Sequence, residues 1–189
     1  MLSQQCIYIH GFNSSGNAPK SRQLRQAVQT LPIDYHSPDL PHQAQLALTA
    51  LESLIDDKRP VTFVGSSLGG FYATYLAHRY PNAKAVLINP ALSPWQLLKD
   101  ERTEYQNPFT GEKFSIGKEE LEQIKQFSIE TIHNPQRFLL LLQADDEVVN
   151  YQEALAKFPR SPSVVRQGGG HLFADFEQII PTIIEFIQG

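Results

Sequence analysis

The feature that most constrains the fold of this chain is an alternation between short apolar segments and longer segments with helical periodicity. This alternation is typical of a mostly parallel β-sheet flanked by helices. The predicted strands are Cys6 to His10, Ile33 to Ser37, Val61 to Val64, Ala83 to Ile88, Phe138 to Gln143 and Ser163 to Arg166. The predicted helices are Lys20 to Thr30, Pro41 to Asp57, Leu68 to Tyr80, Gln152 to Phe158 and Asp175 to Ile187. We therefore predict a compact α/β fold with a six-stranded, mostly parallel sheet and helices on both faces.

The alternation stops between residues 91 and 135, which follow the fourth predicted strand and include a short helical pattern around Lys118 to Phe127. Long loops inside compact domains are usually functional or have structure of their own. Ligands of open α/β sheets bind at the carboxyl ends of the strands, where this segment begins. We predict a cap-like insertion there. Its aromatic residues Trp95 and Phe109 are candidates for substrate binding, with packing inside the cap as the alternative.

Composition limits the classes of function that need considering. The 189 residues suit one domain, residues 1–189, and the net charge of −4 gives no reason to expect a nucleic-acid partner. Residues 1–5 lack the basic start of a secretion signal, and no apolar run is long enough for a membrane span, so we expect a cytoplasmic protein without a membrane partner. The single cysteine, Cys6, lies in an apolar strand pattern and is interpreted as a core residue.

The sequence Gly65-Ser66-Ser67-Leu68-Gly69 lies between a predicted buried strand and a predicted helix. This is the context of a nucleophile elbow, in which the central serine of G-x-S-x-G occupies a strained strand-to-helix turn. The flanking glycines leave room for the crowded backbone, so the serine hydroxyl projects above the sheet. The motif is weak alone, but its position favours Ser67 as a catalytic nucleophile.

A serine hydroxyl needs a base to take its proton, and the base needs an acid to orient it. In this fold the order along the chain is serine, acid, histidine, on loops after later strands. His171 follows a run of three glycines and is the predicted base, with an ordinary surface histidine as the alternative. Asp145, Asp146 and Glu147 follow the fifth predicted strand. We favour Asp146 as the acid, because the two valines that follow Glu147 would then return to the core.

The loop after the first strand, beginning at His10-Gly11-Phe12, is the predicted second half of an oxyanion hole. If strands one and three are neighbours with strand two outside them, both this loop and the elbow face one crevice. An oxyanion needs two N–H donors, usually from the residue after the nucleophile and from this first loop. We therefore predict the backbone amides of Leu68 and Phe12 as the donors, with a simple connecting turn as the alternative for the loop.

With these residues in place, the chain resembles the YqiA-like esterases of the α/β-hydrolase fold over nearly its whole length. The stretches that carry the resemblance are His10-Gly11-Phe12-Asn13-Ser14-Ser15, Val64-Gly65-Ser66-Ser67-Leu68-Gly69-Gly70, Asn89-Pro90-Ala91, Asn107-Pro108-Phe109-Thr110-Gly111, Asp146-Glu147-Val148 and Gly169-Gly170-His171. The resemblance implies an α/β-hydrolase fold with a shortened sheet, and a cytosolic carboxylesterase or acyl-thioesterase. It also implies Ser67 as nucleophile, Asp146 as acid and His171 as base.

We therefore expect a serine hydrolase that cleaves carboxylic esters or acyl thioesters of small molecules through an acyl-enzyme on Ser67. Fold and triad do not set the leaving group, so a peptidase, a lipase or a carbon-carbon bond hydrolase is an alternative. A catalytically silent binding module is the alternative from another class. No cofactor is expected, since phosphate-binding and dinucleotide-binding glycine motifs are absent from the sequence. No metal site is expected either, because the acids at 145–147 lack a spaced set of further ligands.

Overall fold

The computed structural model describes residues 3–98 and 104–189 of the chain. The strands are β1 (Gln4–Ile9), β2 (Ile33–His36), β3 (Val61–Ser66), β4 (Lys84–Ile88), β5 (Glu104–Gln106), β6 (Lys113–Ser115), β7 (Phe138–Gln143) and β8 (Ser163–Arg166). The helices are α1 (Pro19–Val28), α2 (Ala44–Glu52), α3 (Leu68–Arg79), α4 (Pro94–Leu97), α5 (Lys118–Gln126), α6 (Tyr151–Lys157) and α7 (Phe176–Gln188). A 3-10 turn, Pro135–Arg137, precedes β7.

The main sheet has six strands in the order β2-β1-β3-β4-β7-β8, and every neighbouring pair is parallel. The six predicted strands are those of this sheet. β1 lies between β2 and β3, as expected for a sheet whose winding direction reverses at this point. The loops after β1 and β3 therefore leave the same edge of the sheet side by side.

Two apolar layers hold the helices on opposite faces of the sheet, because the central strands are apolar on both sides. β3 and β7 are buried along their whole length. One layer joins the sheet to α2 and α3, and the other joins it to α1 and α7. Cys6 is fully buried in the second layer, and burial raises the pKa of its thiol to about 12. The thiol therefore stays protonated at neutral pH, which agrees with its interpretation as a core residue.

The second helix is shorter than its apolar pattern predicts. It covers Ala44–Glu52 in place of Pro41 to Asp57. Gln43 before it has an extended backbone, and after it the amides of Leu54 and Ile55 bond carbonyls three residues back, as in a tight turn. The helical pattern continued through these two residues because both of them pack against the core from the turn.

The segment 91–135 forms three small elements over the carboxyl edge of the sheet: α4, the antiparallel hairpin of β5 and β6, and α5. Residues 99–103 of the predicted insertion lie outside the described part. α5 matches the short helical pattern in the sequence. The hairpin was not predicted, because each of its strands has three residues and only Phe114 is buried among them.

Candidate active site

Ser67 occupies the turn between β3 and α3, with a φ of 53° that is rare for a residue with a side chain. A Cβ atom on Gly65 would overlap the carbonyl oxygen of Gly69, and one on Gly69 would overlap the carbonyl at the end of β1. The backbone N–H of Ser67 donates to Ile88 at 3.0 Å, and its carbonyl accepts from Ala91 at 3.0 Å. The turn is thus fixed by close packing and by hydrogen bonds to the end of β4 and the residues just after it.

His171 lies between Ser67 and Asp146 and contacts both side chains. Its Nε2 is 3.0 Å from Ser67 Oγ, and its Nδ1 is 2.8 Å and 3.0 Å from the two carboxylate oxygens of Asp146. A carboxylate only accepts hydrogen bonds, so Nδ1 donates its proton to Asp146 and Nε2 accepts from the serine hydroxyl. The Asp146 side chain is 1% exposed and the His171 side chain 17%. Three loops of the sheet therefore bring the predicted nucleophile, base and acid together.

Asp146 is oriented by its own loop as well as by the imidazole. Its Oδ1 accepts hydrogen bonds from the N–H groups of Val148 at 2.8 Å and Val149 at 2.9 Å. These bonds hold one carboxylate oxygen on the turn, while Oδ2 makes the shorter contact with Nδ1 of His171. A carboxylate held in this way fixes the ring plane and tautomer of the histidine that it contacts.

The two neighbours of Asp146 contact the loop that carries His171. The carboxylate of Asp145 accepts from the N–H groups of Gly168 at 2.9 Å and Gly170 at 3.3 Å. Glu147 Oε2 accepts from the N–H of His171 at 3.0 Å. Hydrogen bonds from its own N–H and from that of His171 hold the pKa of Glu147 below its usual value. All three acids therefore bind the histidine loop, two through its backbone and one through the imidazole.

Asn89, at the end of β4, fixes the same loop from below and was not predicted as part of the site. It is 1% exposed and has a φ of 41°. Its Nδ2 donates to the carbonyls of Gly170 at 3.1 Å and His171 at 3.2 Å, and its Oδ1 accepts from the N–H of Gln143 at 2.9 Å. The available signal was indirect, because Asn89-Pro90-Ala91 is one of the stretches that carry the family resemblance.

The predicted oxyanion donors lie on the two loops that face the crevice. Leu68 is the first residue of α3, where a helix leaves its N–H groups without helical partners. Among the described residues, no hydrogen bond involves the backbone N–H of Leu68 or of Phe12. The Phe12 ring packs edge-on against Tyr105, with centroids 4.9 Å apart, and against Phe114, at 5.8 Å. The cap hairpin therefore supports the loop that carries the Phe12 amide.

Asn107 links the cap hairpin to the same loop by hydrogen bonds. Its Nδ2 donates to the carbonyl of Ser14 at 2.8 Å. Its Oδ1 accepts from the N–H groups of Phe109 at 2.8 Å and Thr110 at 3.1 Å, which closes the turn of the hairpin. One buried side chain thus holds both the shape of the hairpin and its contact with the loop after β1.

A cavity of about 810 Å³ opens beside Ser67 and His171. Its wall includes Phe109 and residues of α1, α4 and the loop after His171. Trp95 is not among the described residues that line it, and its indole packs edge-on against Phe71 with centroids 6.0 Å apart. Phe109 therefore remains a candidate for substrate binding, while Trp95 has the alternative role of packing inside the protein.

Within residues 3–98 and 104–189, no group of three or more histidine, cysteine or acidic side chains has the arrangement of a metal site. No helix in this part of the chain has the length and apolar character needed to cross a membrane.

The parallel sheet, the serine on its strand-to-helix turn and the following helix define an α/β-hydrolase fold. Solved structures share it. Mouse alpha/beta hydrolase domain-containing protein 10 is 21% identical, with a TM-score of 0.75 over 97% of this chain and 89% of that one. Est1E from Butyrivibrio proteoclasticus with ferulic acid bound is 17% identical, with a TM-score of 0.70 over 98% and 88%. A monoacylglycerol lipase from Paleococcus ferrophilus is 15% identical, with a TM-score of 0.70 over 97% and 93%.

The chain belongs to the family described as "Uncharacterised protein family (UPF0227)", the YqiA family, whose model matches residues 5–188. The resemblance predicted from the short motifs is therefore confirmed, and it extends over nearly the whole chain.

Proposed function

We propose that this protein is a serine hydrolase that cleaves carboxylic esters or acyl thioesters through an acyl-enzyme on Ser67. The observation that carries the proposal is the double contact of His171, 3.0 Å from the serine hydroxyl and 2.8 Å from the Asp146 carboxylate. A serine becomes a strong nucleophile when an oriented imidazole accepts its proton. His171 has that geometry, because Nδ1 contacts the Asp146 carboxylate and Nε2 contacts the serine hydroxyl.

In the first half of the reaction, Ser67 Oγ attacks the carbonyl carbon of the substrate while its proton passes to Nε2 of His171. Asp146 stabilises the imidazolium that forms. The N–H groups of Phe12 and Leu68 donate to the oxyanion of the tetrahedral intermediate. The intermediate collapses when the bond to the alcohol or thiol breaks, and the leaving group takes the proton from His171.

In the second half, a water molecule replaces the leaving group. The water oxygen attacks the carbonyl carbon of the acyl-enzyme while His171 takes one proton from the water. The same two N–H groups donate to the oxyanion of this second tetrahedral intermediate. Its collapse breaks the bond to Ser67 Oγ, which regains its proton from His171. The products are a carboxylic acid and the free serine, so one water is consumed for each bond cleaved.

The wall of the cavity supports an ester or thioester with an apolar acyl group. Apolar side chains such as Phe109, Leu98 and Phe173 contribute to it, next to the reacting serine. Pockets for small molecules are usually apolar with a few polar groups that fix orientation. Two of the proteins that share the fold agree with this substrate class, since one has ferulic acid bound and another is a monoacylglycerol lipase.

Labelling with a fluorophosphonate tests the proposal, because only an activated serine reacts with it. We expect covalent labelling of the wild type and of Ser66→Ala, which removes the neighbouring hydroxyl, and none of Ser67→Ala. With chromogenic esters, Ser67→Ala should lose a factor of about 10⁴ or more in kcat. A wild type that neither reacts with the probe nor cleaves any ester in a graded acyl series would contradict the proposal.

A further inference from the structure

One lysine stands out among the residues that line the cavity beside Ser67. Lys20 is the second residue of α1, and apart from the imidazole of His171 it is the one ionisable cation in the described part of the wall. No aspartate or glutamate contributes to that part of the wall. The described part of the wall therefore presents one ammonium among apolar and neutral polar side chains.

The Lys20 ammonium is held close to the reacting histidine. Its Nζ donates to the carbonyl of Leu172 at 2.8 Å, one residue beyond His171. An ammonium has three donors, so this bond leaves two of them for other acceptors. Among the described residues, no carboxylate lies within 4.0 Å of Nζ. Burial lowers the pKa of Lys20, so an anion beside Nζ would stabilise its charged form.

The helix itself does not account for a lysine at this position. A cation in the first turn opposes the helix dipole, and α1 has no acidic residue in that turn and no side-chain cap from Ala18. Arg22, on the same helix, has a different setting and donates to the carbonyl of Asn17 at 2.8 Å, away from the cavity wall. Lys20 therefore differs from its neighbour in facing the cavity, where its remaining donors meet whatever occupies it.

We propose that Lys20 is a specificity-determining residue that binds an anionic group of the substrate, a carboxylate or a phosphate, while Ser67 attacks the ester or thioester bond. The inference rests on the proposed function and narrows it to substrates with a negative charge apart from the bond that is cleaved. A charge-assisted hydrogen bond from the ammonium favours such a substrate over a neutral one of the same size.

Two matched substrate pairs test this inference and distinguish the source of the charge. The first pair, 4-nitrophenyl hydrogen glutarate and 4-nitrophenyl pentanoate, differs by a carboxylate on the acyl side. The second, 4-acetoxyphenyl phosphate and phenyl acetate, differs by a phosphate on the leaving-group side. The measured quantity is the ratio of kcat/KM for the charged ester to kcat/KM for the neutral one. Lys20→Met should lower this ratio by about tenfold to a hundredfold in at least one pair.

Lys20→Arg and Arg22→Met are the matched controls, and both should keep the ratio within about threefold of the wild type. If Lys20→Met does not fold, salt gives an independent measurement, because raising it should lower the wild-type ratio by screening. Equal ratios in wild type and Lys20→Met for both pairs would overturn the inference, and so would an equal loss on all four esters, which would make the contact with Leu172 purely positional. In either case the wild type still cleaves esters. Absence of cleavage and of labelling at Ser67 would instead overturn the proposed function.

Discussion

The carboxyl edge of the sheet and the cap differ in how firmly they hold the residues that face the cavity. At the sheet edge, Ser67 and Asp146 follow strands β3 and β7, which are buried along their whole length. In the cap, the strands of the hairpin are exposed at alternate positions, and Phe109 at its tip is 50% exposed. Backbone hydrogen bonds between strands hold the residues of the sheet edge, while aromatic packing around Phe12 and the hydrogen bonds of Asn107 hold the hairpin of the cap.

We therefore expect a division of roles, in which the sheet edge carries out acyl transfer and the cap selects among acyl chains. Acyl transfer needs the nucleophile and base at hydrogen-bond distance, and misplacement by about 1 Å is costly. Selection among acyl chains tolerates adjustable contacts, since one methylene contributes only about 1–3 kcal/mol. Residues of the sheet edge should therefore affect kcat for every substrate, and residues of the cap should affect the ranking of substrates.

The largest effect expected from this division is at Asp146, on the carboxyl edge of the sheet. Asp146→Asn keeps the shape of the side chain but removes the charge that stabilises the imidazolium, and it can favour the wrong tautomer of His171. We expect kcat to fall by about 10³ to 10⁴ for short and medium acyl chains alike. The measurement is steady-state hydrolysis of chromogenic esters, with circular dichroism to verify folding.

Asp145→Asn is the matched control, because its carboxylate contacts backbone N–H groups of the histidine loop and an asparagine oxygen can still accept one of them. We expect a loss within about tenfold, since an exposed charge acts on the ring through screened interaction. The reverse ranking of the two variants would assign the acid to Asp145. Two mild effects would assign the acid to Glu147 or to a residue elsewhere in the chain.

A smaller effect is expected in the cap, at Phe109. Its ring lines the cavity, so Phe109→Ala removes an apolar contact with longer acyl groups. We expect the ratio of kcat/KM for an octanoate ester to that for a butanoate ester to fall by about tenfold, with kcat for the butanoate nearly unchanged. Comparison of the two 4-nitrophenyl esters measures this ratio directly.

Trp95→Ala serves as the control for Phe109, because Trp95 packs on Phe71 and does not line the described cavity. It should lower the free energy of unfolding by about 2 kcal/mol and leave the ratio of the two esters unchanged. An unchanged ratio for Phe109→Ala would contradict the proposed division between edge and cap, and a tenfold change for Trp95→Ala would mean that Trp95 also contacts the acyl group.

The sheet was predictable because the residue pattern that indicates a strand lies within that strand. The central strands β3, β4 and β7 are short, mostly apolar runs, and the run that ends at Gln143 is buried at every position. The elbow was predictable for the same reason, since Gly65 and Gly69 tolerate no side chain and therefore leave a recognisable motif. The hairpin of the cap has no such signal, because strands of three residues give no measurable period.

The supports of the candidate site depend on contacts between residues far apart in the chain. Asn89 meets His171 across 82 positions, and Asn107 meets Ser14 across 93. Their partners are backbone carbonyls, which every residue has, so the type of the partner residue does not indicate the hydrogen bond. The same holds for Glu147, whose carboxylate accepts from the N–H of His171. Sequence patterns therefore indicated the proposed nucleophile, base and acid, while the residues that position them required the structure.

The smallest expected effect concerns His10, on the loop after β1 where edge and cap meet. His10 is 6% exposed, its Nδ1 donates to Gly11 at 2.8 Å, and its Nε2 accepts from the N–H of Leu40 at 3.0 Å. Burial lowers the pKa of His10, although the bond to Gly11 and the charge of Asp39 oppose this. Only the neutral ring accepts from Leu40, so protonation breaks that bond.

Because the folded-state pKa of His10 lies below the unfolded value of about 6.5, the unfolded chain binds the proton more readily. The contribution of His10 to the free energy of unfolding is therefore fully present above about pH 6.5 and is lost as the pH falls below it. Urea titrations at several pH values between about pH 5 and pH 8 give the free energy of unfolding of wild type and His10→Gln. The contribution of His10 is the difference between the two proteins in how steeply this free energy changes with pH. The variant should be less dependent on pH in the acid half of this range, while the paired carboxylate of Asp34, with its pKa lowered by Arg59, acts only at lower pH. Identical dependence on pH in the two proteins would mean that the ring titrates equally in both states, and that its hydrogen bond with Leu40 adds no pH-dependent stability.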